Sequence, residues 1–407
     1  MSQLTSSDHV VIVGAGLAGW RLATSLRQYG FDGEVTLIGD EPHAPYDRPP
    51  LSKQVLEGKW PAAQTIMATP EKIAEAAITL RLGDGARAFD RVTKTLTLAS
   101  GETIRGTHVA IATGTRARHL PFGEGVISYL RTYDDVTAIL TMLEALAPGA
   151  TVAVIGGGFI GAEAATALTK RGHTVTVYEA ASLPLVNVLG AEVANWLAQL
   201  PELAGVTLRV NQQIVDVRAD DRGPSLWFAD GTVAPVDLVL AGVGALPVTD
   251  WLIGSGLDLD NGVVVDELGL AEPTLAAIGD VARATLTTPT GAEQVRIEHW
   301  QVANDHATRL AKWWVEGVAP TEPLIPYFWS DQYGKKIQVL GHPRPTDAVH
   351  LVKGDVASAT WLGLYVRDNV VTGVVALSQP RALMVSKALL QGPHTLAEAL
   401  AIAPWAS

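Results

Sequence analysis

The sequence predicts an α/β chain of two Rossmann-like dinucleotide-binding units followed by a smaller C-terminal α/β domain. Three observations carry that prediction. Two apolar runs, Val10-Val11-Ile12-Val13 and Val152-Ala153-Val154-Ile155, each break into a G-x-G-x-x-G fingerprint: Gly14-Ala15-Gly16-Leu17-Ala18-Gly19 and Gly156-Gly157-Gly158-Phe159-Ile160-Gly161. Each fingerprint continues as a helical pattern and reaches another apolar run ending on an acid, Asp40 or Glu41 in the first case and Glu179 in the second. After Pro320-Thr321-Glu322-Pro323 the pattern changes to closely spaced strands. A strand, a glycine turn and a helix form the arrangement in which backbone N–H groups at a helix N-terminus receive a pyrophosphate.

Taken in order, residues 1–8 are polar and are expected to fray. The first unit is a strand from Val10, a helix over about Ala18–Tyr29 and a strand Val35–Ile38, a compact βαβ motif. The prolines of Ala44-Pro45-Tyr46-Asp47-Arg48-Pro49-Pro50-Leu51-Ser52-Lys53 forbid regular structure where that segment begins. Thr79–Leu98 alternates as strands, Gly101-Glu102 is a turn, and His108–Ala112 reads as a buried strand ending at Thr113-Gly114. The second unit starts at Thr151 and reaches its second strand at Thr174–Tyr178. Strands are expected over Thr207–Val217 and Ser225–Phe228, with a hairpin turn at Asp230-Gly231. Leu238–Ala241 is a buried run breaking into Gly242-Val243-Gly244, and Ala276-Ala277-Ile278 ends on Gly279-Asp280. A helix over about Val302–Trp314 precedes the proline segment. Beyond it come strands at Lys335–Gly341, Val349–Val352, Ala359–Val366 and Val370–Leu377, then a helical stretch from Pro380 to Gln391.

The chain has 407 residues, 48% hydrophobic and 18% charged, which suits two or three globular domains. It has no cysteine. That excludes a disulfide framework, thiolate–zinc sites, cysteine-ligated iron–sulfur clusters and any flavin-to-disulfide relay. A net charge of -12, from 30 basic against 42 acidic residues, argues against nucleic acid as a partner. The Val10–Val13 run is too short for a signal peptide, and no apolar run approaches the ~18 residues of a membrane span. A cytoplasmic location without membrane contact is expected. The ten histidines lack metal-ligand spacing, and no metal site is expected.

Two dinucleotide sites imply electrons passed from one cofactor to another. With no thiol to store them, the final acceptor lies outside the chain. An acid ending the second strand of such a unit accepts hydrogen bonds from ribose hydroxyls and repels a 2′-phosphate. Tyr178-Glu179-Ala180-Ala181-Ser182 contains no Arg or Lys, so the second site favours NADH over NADPH. Gly279-Asp280 reads either as a helix N-cap or as a contact to a flavin ribityl or phosphate; the two units already present favour the second.

At this point the motifs carry a resemblance. The order G-x-G-x-x-G, PYDRPPLSK, ATG, GGGFIG, GVG, IGD and FWSDQY is similar to the NADH-dependent ferredoxin reductases of cytochrome P450 and aromatic-ring oxygenase systems, over essentially the whole chain. The resemblance implies a glutathione-reductase-like fold: an FAD domain at 1–112 and 244–322, an NAD domain at 113–243 and a C-terminal domain at 323–407. The cofactors it implies are FAD and NADH. Gly14, Gly16 and Gly19 would serve the first cofactor, and Gly156, Gly158, Ile160 and Gly161 the second. Ala18, Asp40 (or Glu41), Arg48, Lys53, Ala86, Arg131 and Asp280 are implied at the FAD, and Trp300 at the flavin's pyrimidine edge. Ala112, Thr113, Gly114, Gly242, Gly244 and Gly279 complete the cofactor contacts, with Glu179 at the NADH ribose. Lys53 and Glu163 match a catalytic Lys–Glu pair beside flavin and nicotinamide.

The implied partner is a small acidic 2Fe–2S ferredoxin feeding a P450 or a Rieske-type oxygenase, with the reductase itself a monomer or weak homodimer. Docking an acidic partner on an acidic protein needs a local basic patch. Lys335 and Lys336 are candidates, with Arg309 and Lys312 on one face of the preceding helix. Trp329 reads equally as core packing or as a residue near the docking edge. His299 and Gly334-Lys335-Lys336 depart from the family pattern. Two other readings stand beside this one: an NADH:quinone or general-acceptor oxidoreductase, and an NADH-sensing flavoprotein resembling apoptosis-inducing factor. Against the first, Pro380–Trp405 has only Arg381, Lys387 and His394 as basic groups, too few for a membrane-binding face.

Overall fold

The computed structural model describes residues 3–406 and divides into two compact units. The first takes Met1–Asp47, Ile66–Arg116 and Leu246–Phe328; the second takes Arg48–Thr65, Ala117–Ala245 and Trp329–Ser407.

In the first unit, Val10 to Val13 are apolar without interruption because both faces of their strand are covered. His9–Val13 lies inside a six-stranded sheet, between His108–Ile111 and Glu34–Ile38, and is parallel to both. Leu275–Ala277 adds to the sheet beyond His108–Ile111, and Thr79–Arg81 beyond Glu34–Ile38. The period of two sorts the side chains cleanly. Val10 and Ile12 pack with Leu22, Leu26, Leu310 and Trp314 of the helices Leu17–Gln28 and Trp300–Glu316. Val11 and Val13 turn the other way, to Leu96, Leu98, Val263 and Leu275.

One expectation fails in this unit, and one pair of strands was not anticipated. The stretch expected to fray is tied down: Leu4 N–H donates to the Trp314 carbonyl at 2.8 Å, and Thr5 N–H and hydroxyl both donate to Asp8. Residues 1 and 2 of that stretch lie outside the described residues. An antiparallel pair, Ala282–Thr288 with Gly291–Arg296, also occupies a span to which no element was assigned. Its inward residues Ala282, Ala284 and Leu286 alternate with polar ones, a pattern easily missed when the buried residues are small.

The second unit repeats the plan. Thr151–Ile155 sits between Thr174–Tyr178 and Leu238–Ala241 in a five-stranded parallel sheet, edged by Thr207–Arg209 and Ile127–Tyr129. The strand expected over Thr207–Val217 is two strands. Thr207–Arg209 ends in the parallel sheet, Asn211 takes φ 56°, and Ile214–Asp220 begins an antiparallel three-stranded sheet. The helix Tyr133–Ala145 escaped the sequence reading, although Thr132 and Asp135 form a complete capping box at its start. The C-terminal part is a five-stranded antiparallel sheet. Its first two strands, Tyr327–Gln332 and Lys335–Gly341, are joined by Tyr333 (φ 54°) and Gly334 (φ 73°), the left-handed pair of a tight hairpin. The segment Pro380–Gln391 is a short α-helix, Pro380–Val385, running into a 3₁₀ turn, and a further helix, Leu396–Ile402, starts at a Thr395–Glu398 capping box. Among the described residues no helix is long and apolar enough to cross a membrane.

Candidate active site

Both fingerprints fold as their glycines require. Gly14 has φ 117°, and a Cβ there would sit 2.2 Å from the Ala112 carbonyl oxygen; Gly156 has φ 97° and meets the Gly242 carbonyl at 2.5 Å. The third glycine of each motif lets helix and strand touch. A Cβ on Gly19 or Gly161 would lie 2.0 Å from the carbonyl oxygen of Gly14 or Gly156. Gly161→Ala is therefore expected to overpack this contact, at a cost of about 1–3 kcal/mol. The measurement is Tm together with NAD⁺ affinity by calorimetry; no change in either would remove the close-packing role.

The middle glycines mark the cradles. Gly16 and Gly158 are the N-caps of the helices Leu17–Gln28 and Phe159–Lys170. A Cβ on Gly16 would meet nothing within 4 Å, and one on Gly158 only the Gly242 carbonyl at 3.8 Å. Neither helix start has a capping side chain or an acid in its first turn, in contrast to the boxes at Thr132 and Thr395. Uncapped N–H groups, a positive dipole end and open space fit a dinucleotide pyrophosphate at both places.

The other expected residues fall into two sets. Ala18, Asp40, Glu41, Ala86, Ala112, Thr113, Gly114, Gly279, Asp280 and Trp300 join Gly14, Gly16 and Gly19 in the first unit. There Gly279 packs against Ala18, a Cβ on it falling 2.9 Å from that of Ala18. Thr113 donates its hydroxyl to the Val248 carbonyl at 2.8 Å, and the Trp300 indole donates to Asp47 at 2.8 Å. Ile160, Gly242, Gly244, Arg48, Lys53, Arg131, Glu163 and Glu179 belong to the second unit with its fingerprint. Arg48 and Arg131 meet: an Arg48 guanidinium N–H donates to the Arg131 carbonyl at 2.8 Å.

The two acids are not equivalent. Ile38 and Tyr178 occupy the same register position, opposite Val13 and Ile155, so Glu179 corresponds to Gly39. Asp40 comes one residue later, is largely exposed and pairs with Arg87 at 3.1 Å, while Glu41 accepts from the Tyr46 hydroxyl at 2.6 Å. Glu179 instead accepts from Gly157 N–H and Ala181 N–H, both at 2.8 Å, and is bound to its own glycine loop.

The most developed polar constellation surrounds Glu163. This carboxylate is 4% exposed and lies on the helix Phe159–Lys170. One oxygen accepts from Lys53 Nζ at 2.7 Å and from the Ser52 hydroxyl at 2.6 Å; the other accepts from the Ser330 hydroxyl at 2.6 Å. Ser52 and Ser330 are 3% and 1% exposed. Three donors around a buried carboxylate are the arrangement that makes burying its charge tolerable. Lys53 and Ser52 come from a single π-helical turn, Leu51–Val55, and Lys53 also donates to the Pro49 carbonyl at 3.3 Å. The two serines were missed in the sequence. Ser330 sits inside the FWSDQY motif and Ser52 beside Lys53, so position alone could have raised them.

Two of the four candidate docking cations are engaged. Lys336 pairs with Asp331 at 3.0 Å. Arg309 is half-buried, donates to the Glu322 carbonyl at 3.0 Å, and burial lowers its pKa against the opposing pull of Asp305, Glu267 and Glu322. Trp329 is partly buried. Among the described residues no cluster of His, Asp or Glu is arranged to hold a metal ion.

Residues 8–307 match the family model for pyridine nucleotide-disulphide oxidoreductases, and residues 327–405 match the reductase C-terminal model. The chain belongs to the pyridine nucleotide-disulphide oxidoreductases. It is similar to rhodocoxin reductase of Rhodococcus erythropolis, at 34% identity over 94% of this chain and 89% of that one. It is similar also to the ferredoxin–NAD(+) reductase subunit of the benzene 1,2-dioxygenase system of Pseudomonas putida, at 33% over 95% and 93%. Among solved structures it matches putidaredoxin reductase in its covalent complex with putidaredoxin, with TM-score 0.89, 31% identity and coverage of 95% and 94%. Members of this family use FAD and NAD(H), which the two cradles fit. Despite the family's name, this oxidoreductase has no cysteine with which to form a redox disulfide.

Proposed function

We propose that the chain is an FAD-dependent NADH:ferredoxin oxidoreductase that passes electrons to a 2Fe–2S ferredoxin serving a cytochrome P450 or a ring-hydroxylating oxygenase. The observation that carries this reading is the pair of uncapped glycine cradles in a chain with no cysteine. The acceptor class rests on the names of its relatives, which serve such systems. Action in the cytoplasm, as a monomer or weak homodimer, completes the proposal.

When bound, FAD supplies the acceptor for the NADH hydride and releases electrons one at a time. The chain's own residues bind and orient. The N–H groups at the helix starts after Gly16 and Gly158 hold the two pyrophosphates, with Ala18, Gly279 and Asp280 beside the first. Glu179 orients the NADH ribose and rejects a 2′-phosphate. Glu163 holds the Lys53 ammonium at a fixed point, so that its positive charge is placed before reaction rather than recruited during it.

The test is NADH-driven cytochrome c reduction with a panel of 2Fe–2S ferredoxins. Strong stimulation by at least one ferredoxin is expected; turnover with quinones that no ferredoxin enhances would overturn the reading. For the docking surface, Lys335 carries the expectation, since Lys336 is already paired. Charge reversal at both is expected to raise the KM for an acidic ferredoxin several-fold and flatten its salt dependence, with NADH–ferricyanide activity nearly unchanged. Indifference of ferredoxin turnover to both substitutions and to salt would place the docking face elsewhere.

A further inference from the structure

Within the first unit, the helix Trp300–Glu316, the hairpin Ala282–Thr288 with Gly291–Arg296 and the proline segment before Leu324 form a cavity of ≈ 180 Å³ that is partly open to solvent. One side of its wall is apolar, formed by Leu286, Val295, Ile297 and Leu324, while Thr285 and Thr287 add hydroxyls. Two polar groups of the helix also line it, His306 and Arg309, three residues apart and on one face.

The protonation of His306 follows from one bond. Gly279 N–H donates to its Nδ1 at 3.3 Å, and a backbone N–H can only donate, so the ring proton is on Nε2. The ring is 7% exposed, and Nε2–H has no partner among the described residues. Burial, with the nearby Arg309 charge, pushes the imidazole down to about 4, which keeps it in this neutral, single-donor form. Arg309 gives one N–H to the Glu322 carbonyl and makes no ion pair among the described residues. Arg309 is half-buried, so both side chains keep donor capacity on the cavity side.

We propose that this cavity binds a small carboxylic acid with an apolar body about the size of benzoate. The carboxylate accepts from the Arg309 guanidinium and from His306 Nε2–H, and the ring lies against Leu286, Val295, Ile297 and Leu324. The size fits, since an apolar cavity of about 150 Å³ accommodates benzene. The sign of the ligand's charge follows from the donors, because neither Arg309 nor the His306 Nε2–H can accept a hydrogen bond. Glu267 and Glu322 also line the cavity and Asp305 acts on Arg309 from its own helix; the two glutamates are exposed, where water screens them. A guanidinium fork matches a carboxylate with two parallel bonds.

The experiment is calorimetric titration of the FAD-loaded protein with benzoate, with benzylamine as the control of opposite charge. Saturable one-to-one binding of benzoate within about 10 mM is expected, the range for a ligand of so few atoms. Arg309→Gln should weaken it at least tenfold, as loss of hydrogen bonds to a charged group does. Leu324→Trp, which fills the cavity and leaves the charges intact, should abolish it. Saturating NADH should leave the affinity unchanged. The proposal is overturned if benzoate does not saturate, if both variants bind as the wild type does, if NADH competes, or if benzylamine binds in its place. None of these outcomes depends on whether a ferredoxin accepts electrons, so the two proposals fail separately.

Discussion

Glu163→Ala is expected to destabilise the protein by about 3–5 kcal/mol and to slow flavin reduction by NADH. The substitution leaves the Lys53 ammonium, 2.7 Å from the lost carboxylate and mostly buried, without its counter-charge, and removes the acceptor from two serine hydroxyls. Removing one partner of a buried pair costs far more than the pair itself contributes. Lys53→Ala is expected to cost less stability, because Ser52 and Ser330 still satisfy both carboxylate oxygens, yet to slow flavin reduction comparably. The double substitution should cost less than the sum of the singles, since residues acting as a unit are not additive. Stopped-flow absorbance gives the rate and denaturant unfolding the stability. Additive losses in both, or lost stability with an unchanged hydride-transfer rate, would make the pair purely structural.

The second large effect concerns nucleotide choice. The wild type is expected to prefer NADH over NADPH by roughly a hundredfold in kcat/KM, the equivalent of a few kcal/mol, because Glu179 penalises the wrong ligand. Glu179→Arg should narrow or reverse that ratio. The ratio is the quantity to measure. The substitution also removes the acceptor from Gly157 N–H and Ala181 N–H, which would lower activity with both nucleotides alike. A wild type that uses both nucleotides equally well would end the argument.

What could be read in the sequence was what depends on local pattern. Val10–Val13 and Val152–Ile155 are apolar on both faces, and glycine follows where the backbone must touch a carbonyl; both facts lie within about ten consecutive residues. The acids were legible as a type but not as a position: Gly39, and not Asp40, shares the register of Glu179. Arg209 shows the same limit. Tyr178–Ser182 holds no cation, yet Arg209 stands opposite Tyr178 on the neighbouring strand, its carbonyl accepting from Glu179 N–H. The serines around Glu163 come from positions 52 and 330, and only folding brings them to one carboxylate. The setting of Arg309 was likewise beyond local pattern: its guanidinium donates to the Glu322 carbonyl and it is half-buried in the folded chain.

The parentage of the first unit's sheet has a consequence for synthesis. His9–Val13, Glu34–Ile38 and His108–Ile111 leave the ribosome early, but Leu275–Ala277, which covers the open side of His108–Ile111, comes only after the whole parallel sheet of the second unit. Until then a nascent chain presents a bare, mostly apolar strand edge, the kind of surface that pairs with the wrong neighbour. The second unit's parallel sheet is complete once Leu238–Ala241 has emerged, so it can assemble while the first is still waiting. A translational pause or truncation between Ala241 and Leu275 should therefore leave a chain with one finished nucleotide cradle and one sticky half-sheet, and recovery of soluble protein should depend on chaperones over that window.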